Sequence, residues 1–132
     1  MARSPSQNPT DLELEILKVL WKLGPSTVRT VRDDLAGHRP LAHTTVITVM
    51  KIMTDKGYLT RERAKEGKGH IYRPRVQERS VRRRMLSDLR RRVFDGSASA
   101  MVLNLIDDID LDENALKELR RRIDEKAKEA SR

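Results

Sequence analysis

Residues 43–57, HTTVITVMKIMTDKG, decide how the rest of the chain is interpreted. The six consecutive β-branched residues at 44–49 favour a β-strand by propensity alone. The length of the segment and the Gly57 that follows it favour a helix instead. Its apolar residues also recur at helical spacing, at Val46, Val49, Met50 and Met53. We therefore predict a helix over 43–56, against the local propensity.

The side of this helix opposite the apolar residues differs from an ordinary solvated face. At about 100° per residue, Thr44, Thr48, Lys51 and Asp55 lie there. Solvated faces usually carry Glu, Lys and Arg, whereas short hydroxyls and an aliphatic group suit the edges and methyl groups of bases in a major groove. We predict that the helix contacts duplex DNA through His43, Thr44, Thr45, Ile47, Thr48 and Lys51.

Two shorter helices are predicted before it. Residues 10–13 (TDLE) have the form of a capping box, and Gly24 with Pro25 ends the helix that they begin. Ser26 is the expected cap of a second helix, which ends near Gly37 and buries Val28, Val31 and Leu35. Residues 1–9, rich in Ser, Pro, Gln and Asn, are expected to be disordered.

A basic β-hairpin is predicted after the third helix. Residues 58–63 and 70–73 have the composition of strands, and a glycine-containing turn at 64–69 joins them. Three helices followed by a hairpin is the order of a winged helix–turn–helix, which we predict over 10–76. The hairpin cations predicted to touch phosphates or enter the minor groove are Arg61, Arg63, Lys65 and Lys68.

The rest of the chain, 77–132, is predicted to be a helical dimerisation region. It contains an arginine-rich helix at 77–94, an apolar segment at 98–106 and a last helix that Asp112 can cap. The segment 98–106 is apolar nearly all round, which is typical of an element buried on most sides. The predicted dimer core comprises Met85, Leu89, Phe94, Met101, Leu103, Leu105, Leu116, Leu119 and Ile123. The fold class is thus mainly α with a small β-hairpin.

The positive charge is concentrated in one part of the chain. The net charge is +8, and residues 58–92 alone carry 13 basic and 4 acidic side chains, a balance of +9. This concentration indicates a polyanionic partner rather than a uniformly basic surface. The arginines of 79–92 have three open interpretations: contact with DNA phosphates, ion pairs with acidic residues 107–113 of a partner chain, or a solvated face.

The composition excludes several classes of function. The chain has no cysteine, and no catalytic triad, H-E-x-x-H motif or phosphate loop is found, so we predict that it is not an enzyme. His38 and His43 could in principle bind a metal, but a solvated or capping role is favoured, and no metal or cofactor is predicted. Without a signal-peptide core or an 18-residue apolar run, the expected location is the cytoplasm, with no membrane insertion.

The sequence resembles the penicillinase repressor family, the BlaI/MecI type, over about residues 8–128. Copper-responsive repressors of the same family rely on cysteines, which this chain lacks. The segments that carry the resemblance are LEILKVLW at 14–21, TTVITVM at 44–50, KGYL at 56–59 with Arg61 and Arg63, and MVLNL at 101–105.

This resemblance implies a winged helix domain, a homodimer formed by the C-terminal helices, and binding to palindromic operators. It also implies repression of genes for β-lactamases or penicillin-binding proteins. A partner membrane metalloprotease then senses the antibiotic and leads to cleavage of the repressor. In the family the cut falls at an Asn-Phe bond, and the matching pair here is Asn104 and Leu105, which differs at the second residue.

Two alternative functions remain open. One is a ligand-responsive winged helix regulator, whose pocket at the dimer interface would have only Ser99 and Asn104 as polar groups in 98–106. The other is an RNA-binding or nucleoid protein that reads no sequence. Such a protein usually stacks bases on exposed aromatic rings, and the candidates here, Tyr58 and Tyr72, have the positions of wing-packing residues.

Overall fold

The structure is a computed structural model that describes residues 8–132. Within that range the chain forms six helices and one antiparallel pair of strands. The helices are α1 (Asp11–Leu23), α2 (Val28–Leu35), α3 (His43–Lys56), α4 (Glu78–Val93), α5 (Ala98–Asp108) and α6 (Glu113–Ala130), and the strands are β1 (Leu59–Arg63) and β2 (His70–Pro74).

The chain divides into two compact units after Ser87, in the middle of α4. The boundary predicted from the sequence lies between 76 and 77. The structure instead assigns the first half of α4, where Val81 is buried, to the first unit. Of the predicted disordered segment 1–9, residues 1–7 lie outside the described range. The last residue of that segment, Pro9, is buried and precedes Thr10, the cap of α1.

The start of α1 confirms the predicted capping box. The Thr10 hydroxyl oxygen accepts a hydrogen bond from the backbone N–H of Glu13 at 3.2 Å. In return, the Glu13 carboxylate accepts from the backbone N–H of Thr10 at 2.8 Å. Two backbone donors that a helix start leaves without partners are thereby satisfied.

The predicted cap of α2 was wrong. Thr27, not Ser26, caps the helix, because its side chain accepts from the backbone N–H of Thr30 at 3.2 Å. Ser26 instead pairs with the hairpin: its N–H donates to the Tyr72 carbonyl at 3.1 Å, and the Tyr72 N–H donates to the Ser26 carbonyl at 2.9 Å. Ser26 therefore forms an isolated antiparallel bridge beside β2.

The predicted helix over 43–56 is confirmed as α3. Gly57 ends it in a left-handed conformation, with φ of 90°, which a residue with a side chain rarely adopts. Of the predicted apolar side, Val46, Met50 and Met53 are fully buried and Val49 is half-buried. Burial of this side in the core outweighs the β propensity of the segment.

The hairpin packs onto the helices through its base. β1 and β2 pair from Leu59 opposite Pro74 to Arg63 opposite His70. The buried residues of the hairpin join apolar residues of α1, α2 and α3 in one core, whose members are Ile16, Leu17, Val19, Leu20, Val28, Val31, Leu35, Val46, Met50, Met53, Tyr58, Leu59 and Tyr72. The exit of the hairpin is held by the Trp21 indole N–H, which donates to the Val76 carbonyl at 3.0 Å.

The second unit, from Asp88 onward, consists of the end of α4 with α5 and α6. Ser97 caps α5, and Asp112 caps α6 as predicted, its carboxylate accepting from the Ala115 N–H at 2.7 Å. No residue from 88 to 132 is buried. The prediction that 98–106 is buried on most sides is therefore wrong for a single chain, because three helices in so short a unit leave their outer sides uncovered. None of the helices between residues 8 and 132 is long and apolar enough to cross a membrane.

Candidate nucleic-acid interface

The exposed side of α3 presents the predicted contact residues as one surface. Thr44, Thr45, Thr48 and Lys51 are exposed there, and His43 is exposed at the first residue of the helix. Ile47 is half-buried and packs against the core. Short side chains on this surface let a helix backbone approach base edges closely.

Thr48 has a defined hydrogen-bonding role on this surface. Its hydroxyl donates to the Thr44 carbonyl at 2.8 Å. Because the hydroxyl hydrogen is engaged in the helix, the oxygen offers acceptor lone pairs and the side chain offers a methyl group. Such a side chain can accept from the amino group of adenine or cytosine, or contact a thymine methyl group.

His43 has a cationic neighbour at the start of α3. A guanidinium nitrogen of Arg32 lies 3.4 Å from Nδ1 of His43. A guanidinium can only donate, so Nδ1 is the acceptor in this contact. The contact places a positive charge beside the predicted contact surface of α3.

Sequence reasoning missed Ile52 on this surface. Its side chain is 44% exposed, and it follows Thr45 and Thr48 at spacings of seven and four residues, on the same side of α3. The helical periodicity that places the threonines on one side of α3 also places Ile52 there, so the sequence alone could have identified it. Asp55 lies further along the same side, and its negative charge opposes phosphates, so the expected contact is confined to the N-terminal part of α3.

The cations predicted on the hairpin are exposed and uncompensated. Arg61, Arg63, Lys65 and Lys68 form no ion pair with any residue between 8 and 132. The acidic neighbour in β1, Glu62, is held by Arg73 at 2.8 Å. The positive charge on this side of the hairpin is therefore available to an external anion.

A groove joins the helix to the hairpin. It has a volume of 270 Å³ and lies between α2, the start of α3 and the end of the hairpin turn. His43, Ile47 and Lys68 meet there, whereas the other predicted contact residues lie outside its lining. Arg29 in the first turn of α2 and His70 at the start of β2 also line the groove. Sequence reasoning missed both, because only the folded chain brings them beside α3.

The histidines considered as metal ligands have other neighbours. His38 Nε2 lies 3.8 Å from a Glu15 carboxylate oxygen, and His43 lies beside Arg32. Between residues 8 and 132 there is no group of three or more side chains that could hold a metal ion.

Three helices, the Ser26 bridge and the hairpin together form a winged helix domain. The model of the penicillinase repressor family matches residues 9–125. The chain belongs to this family.

Individual relatives agree with this assignment. The chain is 27% identical to a penicillinase repressor of Bacillus licheniformis over 110 residues, 83% of this chain and 84% of the relative. It is 31% identical to a transcriptional regulator BlaI of Mycobacterium tuberculosis over 105 residues, 78% of this chain and 75% of the relative. The solution structure of the DNA-binding domain of the repressor BlaI matches with a TM-score of 0.50 and 29% identity, covering 59% of this chain and 90% of that chain.

The predicted family and fold class are thereby confirmed. The chain is a DNA-binding transcriptional repressor of the winged helix type. The two relatives are named as a penicillinase repressor and a transcriptional regulator.

Proposed function

We propose that this protein represses transcription as a homodimer bound to palindromic operators in duplex DNA. The observation that carries the proposal is the exposed threonine surface of α3 beside the uncompensated cations of the hairpin. The threonines supply base contacts that depend on sequence, and the cations supply phosphate contacts that do not. Both are needed for a repressor that distinguishes its operator from the rest of the genome.

The homodimer is supported by the exposed apolar side chains of the second unit. Of the predicted dimer core, Met85, Phe94, Met101 and Leu119 are half-buried and the others are exposed. Eight large apolar side chains after Ser87 are classed as exposed, namely Leu89, Val93, Val102, Leu103, Leu105, Ile109, Leu116 and Ile123. So many exposed apolar side chains in one short unit are unfavourable in water unless another chain covers them.

A dimer also explains how a small domain obtains specificity. One recognition helix contacts few base pairs, and a two-fold axis doubles the contact and imposes a palindrome on the site. The half-sites are expected ~10 bp or a multiple of that apart.

The test begins with a genome-wide map of bound DNA, which yields the operator and its symmetry. Affinity for that operator is then compared with affinity for random duplex of equal length at fixed salt. We expect a preference of ~10³-fold or more. Lys68→Gln should weaken binding to both duplexes alike and lower the salt dependence, while Lys126→Gln in α6 serves as a control. Equal affinity for operator and random duplex would contradict the proposal.

We propose further that cleavage between Asn104 and Leu105 by a membrane-bound sensor protease relieves repression of genes of the β-lactam-resistance type. Both residues are exposed. They lie inside α5, so the helix must open locally before a protease can bind it. The cut would separate α6, with Leu116, Leu119 and Ile123, from the rest of the dimer core and lower operator occupancy.

The cleavage proposal is tested by following the chain in cells while its target genes are induced. We expect a fragment that ends at Asn104, and loss of both the fragment and induction in Asn104→Ala. Asn114→Ala, at an exposed asparagine of α6, is the matched control. A chain that stays intact during full induction excludes this mechanism and leaves operator binding unaffected.

The RNA-binding alternative has less support. Tyr58 and Tyr72 are buried, and no Phe, Tyr or Trp side chain between residues 8 and 132 is exposed. Burial and the Glu13 carboxylate raise the pKa of the Tyr58 hydroxyl against the opposing effect of Arg84, so this ring stays neutral in the core. Without an exposed Phe, Tyr or Trp ring, the described residues lack the stacking surface that single-stranded RNA recognition usually employs.

A further inference from the structure

A second groove lies on the first unit between α1 and the first half of α4. Its volume is 340 Å³, within the range of small-molecule sites. Leu14, Lys18 and Trp21 line it from one side of α1. The α4 wall is mainly apolar, and the residues that form it are Glu78, Val81, Arg82, Met85 and Leu86.

The apolar part of the groove suits a flat ring or a short apolar chain. Trp21 is half-buried and its indole N–H is held by the Val76 carbonyl at 3.0 Å, so the ring is fixed as a wall. Opposite it, Met85 and Leu86 supply a flexible thioether and a branched side chain. Aromatic rings pack favourably against both an indole and a methionine sulfur.

The polar part of the groove is positively charged. The Arg82 guanidinium is paired with the Glu78 carboxylate at 2.9 Å, so these two charges compensate each other. Lys18 is exposed and has no ion pair with any residue between 8 and 132. It therefore leaves one ammonium group available for an anion bound in the groove.

We infer that this groove binds a small organic carboxylate with an apolar, preferably aromatic, body. The carboxylate pairs with Lys18, and the body packs between Trp21 and Leu86. An apolar surface of a second copy is the competing occupant, since Met85 was also predicted in the dimer core. Such a surface would cover Lys18 without supplying the anion, so charge complementarity favours the carboxylate.

The single tryptophan of the chain makes the test direct, because Trp21 lines the groove. The full-length protein is titrated with 3-phenylpropanoate while the fluorescence of Trp21 is followed, and then with the neutral 3-phenylpropanamide. We expect a saturable change with a Kd of about 1 mM or lower for the carboxylate. The amide, of nearly the same shape, should bind at least about threefold more weakly.

Two lysine variants assign the binding to the groove. Lys18→Gln keeps most of the aliphatic stem and should weaken binding of the carboxylate by about three- to tenfold. Lys22→Gln removes a charge from the same helix outside the groove and should leave binding unchanged. Both lysines are exposed, so neither substitution disturbs the core.

The proposal is overturned if the carboxylate gives no saturable change, or if Lys18→Gln binds it as the unchanged protein does. It is also overturned if Trp21 emission moves to shorter wavelength as the protein dimerises and the dimer no longer binds the carboxylate. The second copy is then the occupant of the groove. Because the titration contains no DNA, none of these outcomes depends on operator binding.

Discussion

The two units of this chain differ in how far their apolar side chains are buried. Between residues 8 and 132, the fourteen buried hydrophobic residues of the core all precede Ser87, whereas eight of the eleven exposed large apolar side chains follow it. The winged helix unit closes a core with its own residues. The unit from Asp88 onward forms helices without burying any residue, and this supports the proposed homodimer.

The ion pairs of the two units differ in the same way. In the first unit, Lys56 at the end of α3 reaches the buried carboxylate of Glu13 in α1 at 2.9 Å. In α6, Arg121 pairs with Glu118 at 2.6 Å and with Glu125 one helical turn later. Hydrogen bonds from Arg121 and Arg122 lower the pKa of Glu118 to about 2. The support that these exposed pairs give α6 is complete above the ordinary pKa of a glutamate and is lost as the pH falls through about 2.

The largest expected effect follows from a charge placed in the proposed dimer core. Leu119→Asp should destabilise the dimer by about 4 kcal/mol, roughly a thousandfold, because an unpaired carboxylate would be buried between two chains. Sedimentation should give a monomer that no longer binds the operator, while urea unfolding followed by Trp21 fluorescence is unchanged. Lys117→Asp, on the opposite side of α6, is the control. A Leu119→Asp protein that stays dimeric would contradict the division of roles between the units.

A matched pair of leucines compares the two units directly. Leu17→Ala should lower the free energy of unfolding of the first unit by about 3 kcal/mol, because it leaves a cavity in a fully buried core. Leu103→Ala, at a side chain that is 59% exposed, should change it by less than about 0.5 kcal/mol. Urea unfolding followed through Trp21 measures both, with each substitution made in the Leu119→Asp protein, which is expected to be monomeric. Equal losses would mean that the second unit contributes to the core of the first.

The buried ion pair predicts an intermediate effect. Lys56→Met leaves the Glu13 carboxylate buried with only its backbone hydrogen bond, and should cost about 2 kcal/mol of unfolding free energy. Lys22→Met breaks the exposed pair with Asp34 and should cost less than about 0.5 kcal/mol. Thermal unfolding of both variants tests the difference. Similar losses in the two variants would show that burial of Glu13 does not increase the contribution of its ion pair to stability.

The smallest effect concerns base preference. Thr48→Ala removes the acceptor and the methyl group, and should lower the ratio of operator to random-duplex affinity by about fivefold, or about 1 kcal/mol. Thr54→Ala loses the same type of bond, a hydroxyl donated to the Met50 carbonyl at 2.8 Å, on another side of α3. Its affinity ratio should not change. Competition binding measures both variants, and an unchanged preference in Thr48→Ala would remove this residue from the interface.

The sequence predicted those features of the fold whose causes are local. The capping box of Thr10 and Glu13 and the Asp112 cap of α6 each depend on residues within four positions of one another. The hairpin follows from glycines between two short β-rich segments. The α3 contact surface follows from helical periodicity, although Ile52 was overlooked on it.

The features that the sequence missed depend on residues far apart in the chain. Ser26 has the composition of a helix cap, and only the approach of Tyr72 turns it into a strand partner. The groove that adds Arg29 and His70 to the candidate interface forms when α2, α3 and the hairpin meet. Nothing in the spacing of these residues encodes that approach.

The sequence by itself determined which segments form helices, where the positive charge is concentrated, and which side of α3 carries the threonines. Hydrogen bonds to near neighbours and helical periodicity suffice for that. Only the tertiary structure decided which apolar residues are buried, because burial depends on what packs against them. For this reason the sequence pattern of 98–106 predicts burial, whereas the structure of the single chain leaves the segment uncovered. For the same reason the sequence did not predict the groove between α1 and α4.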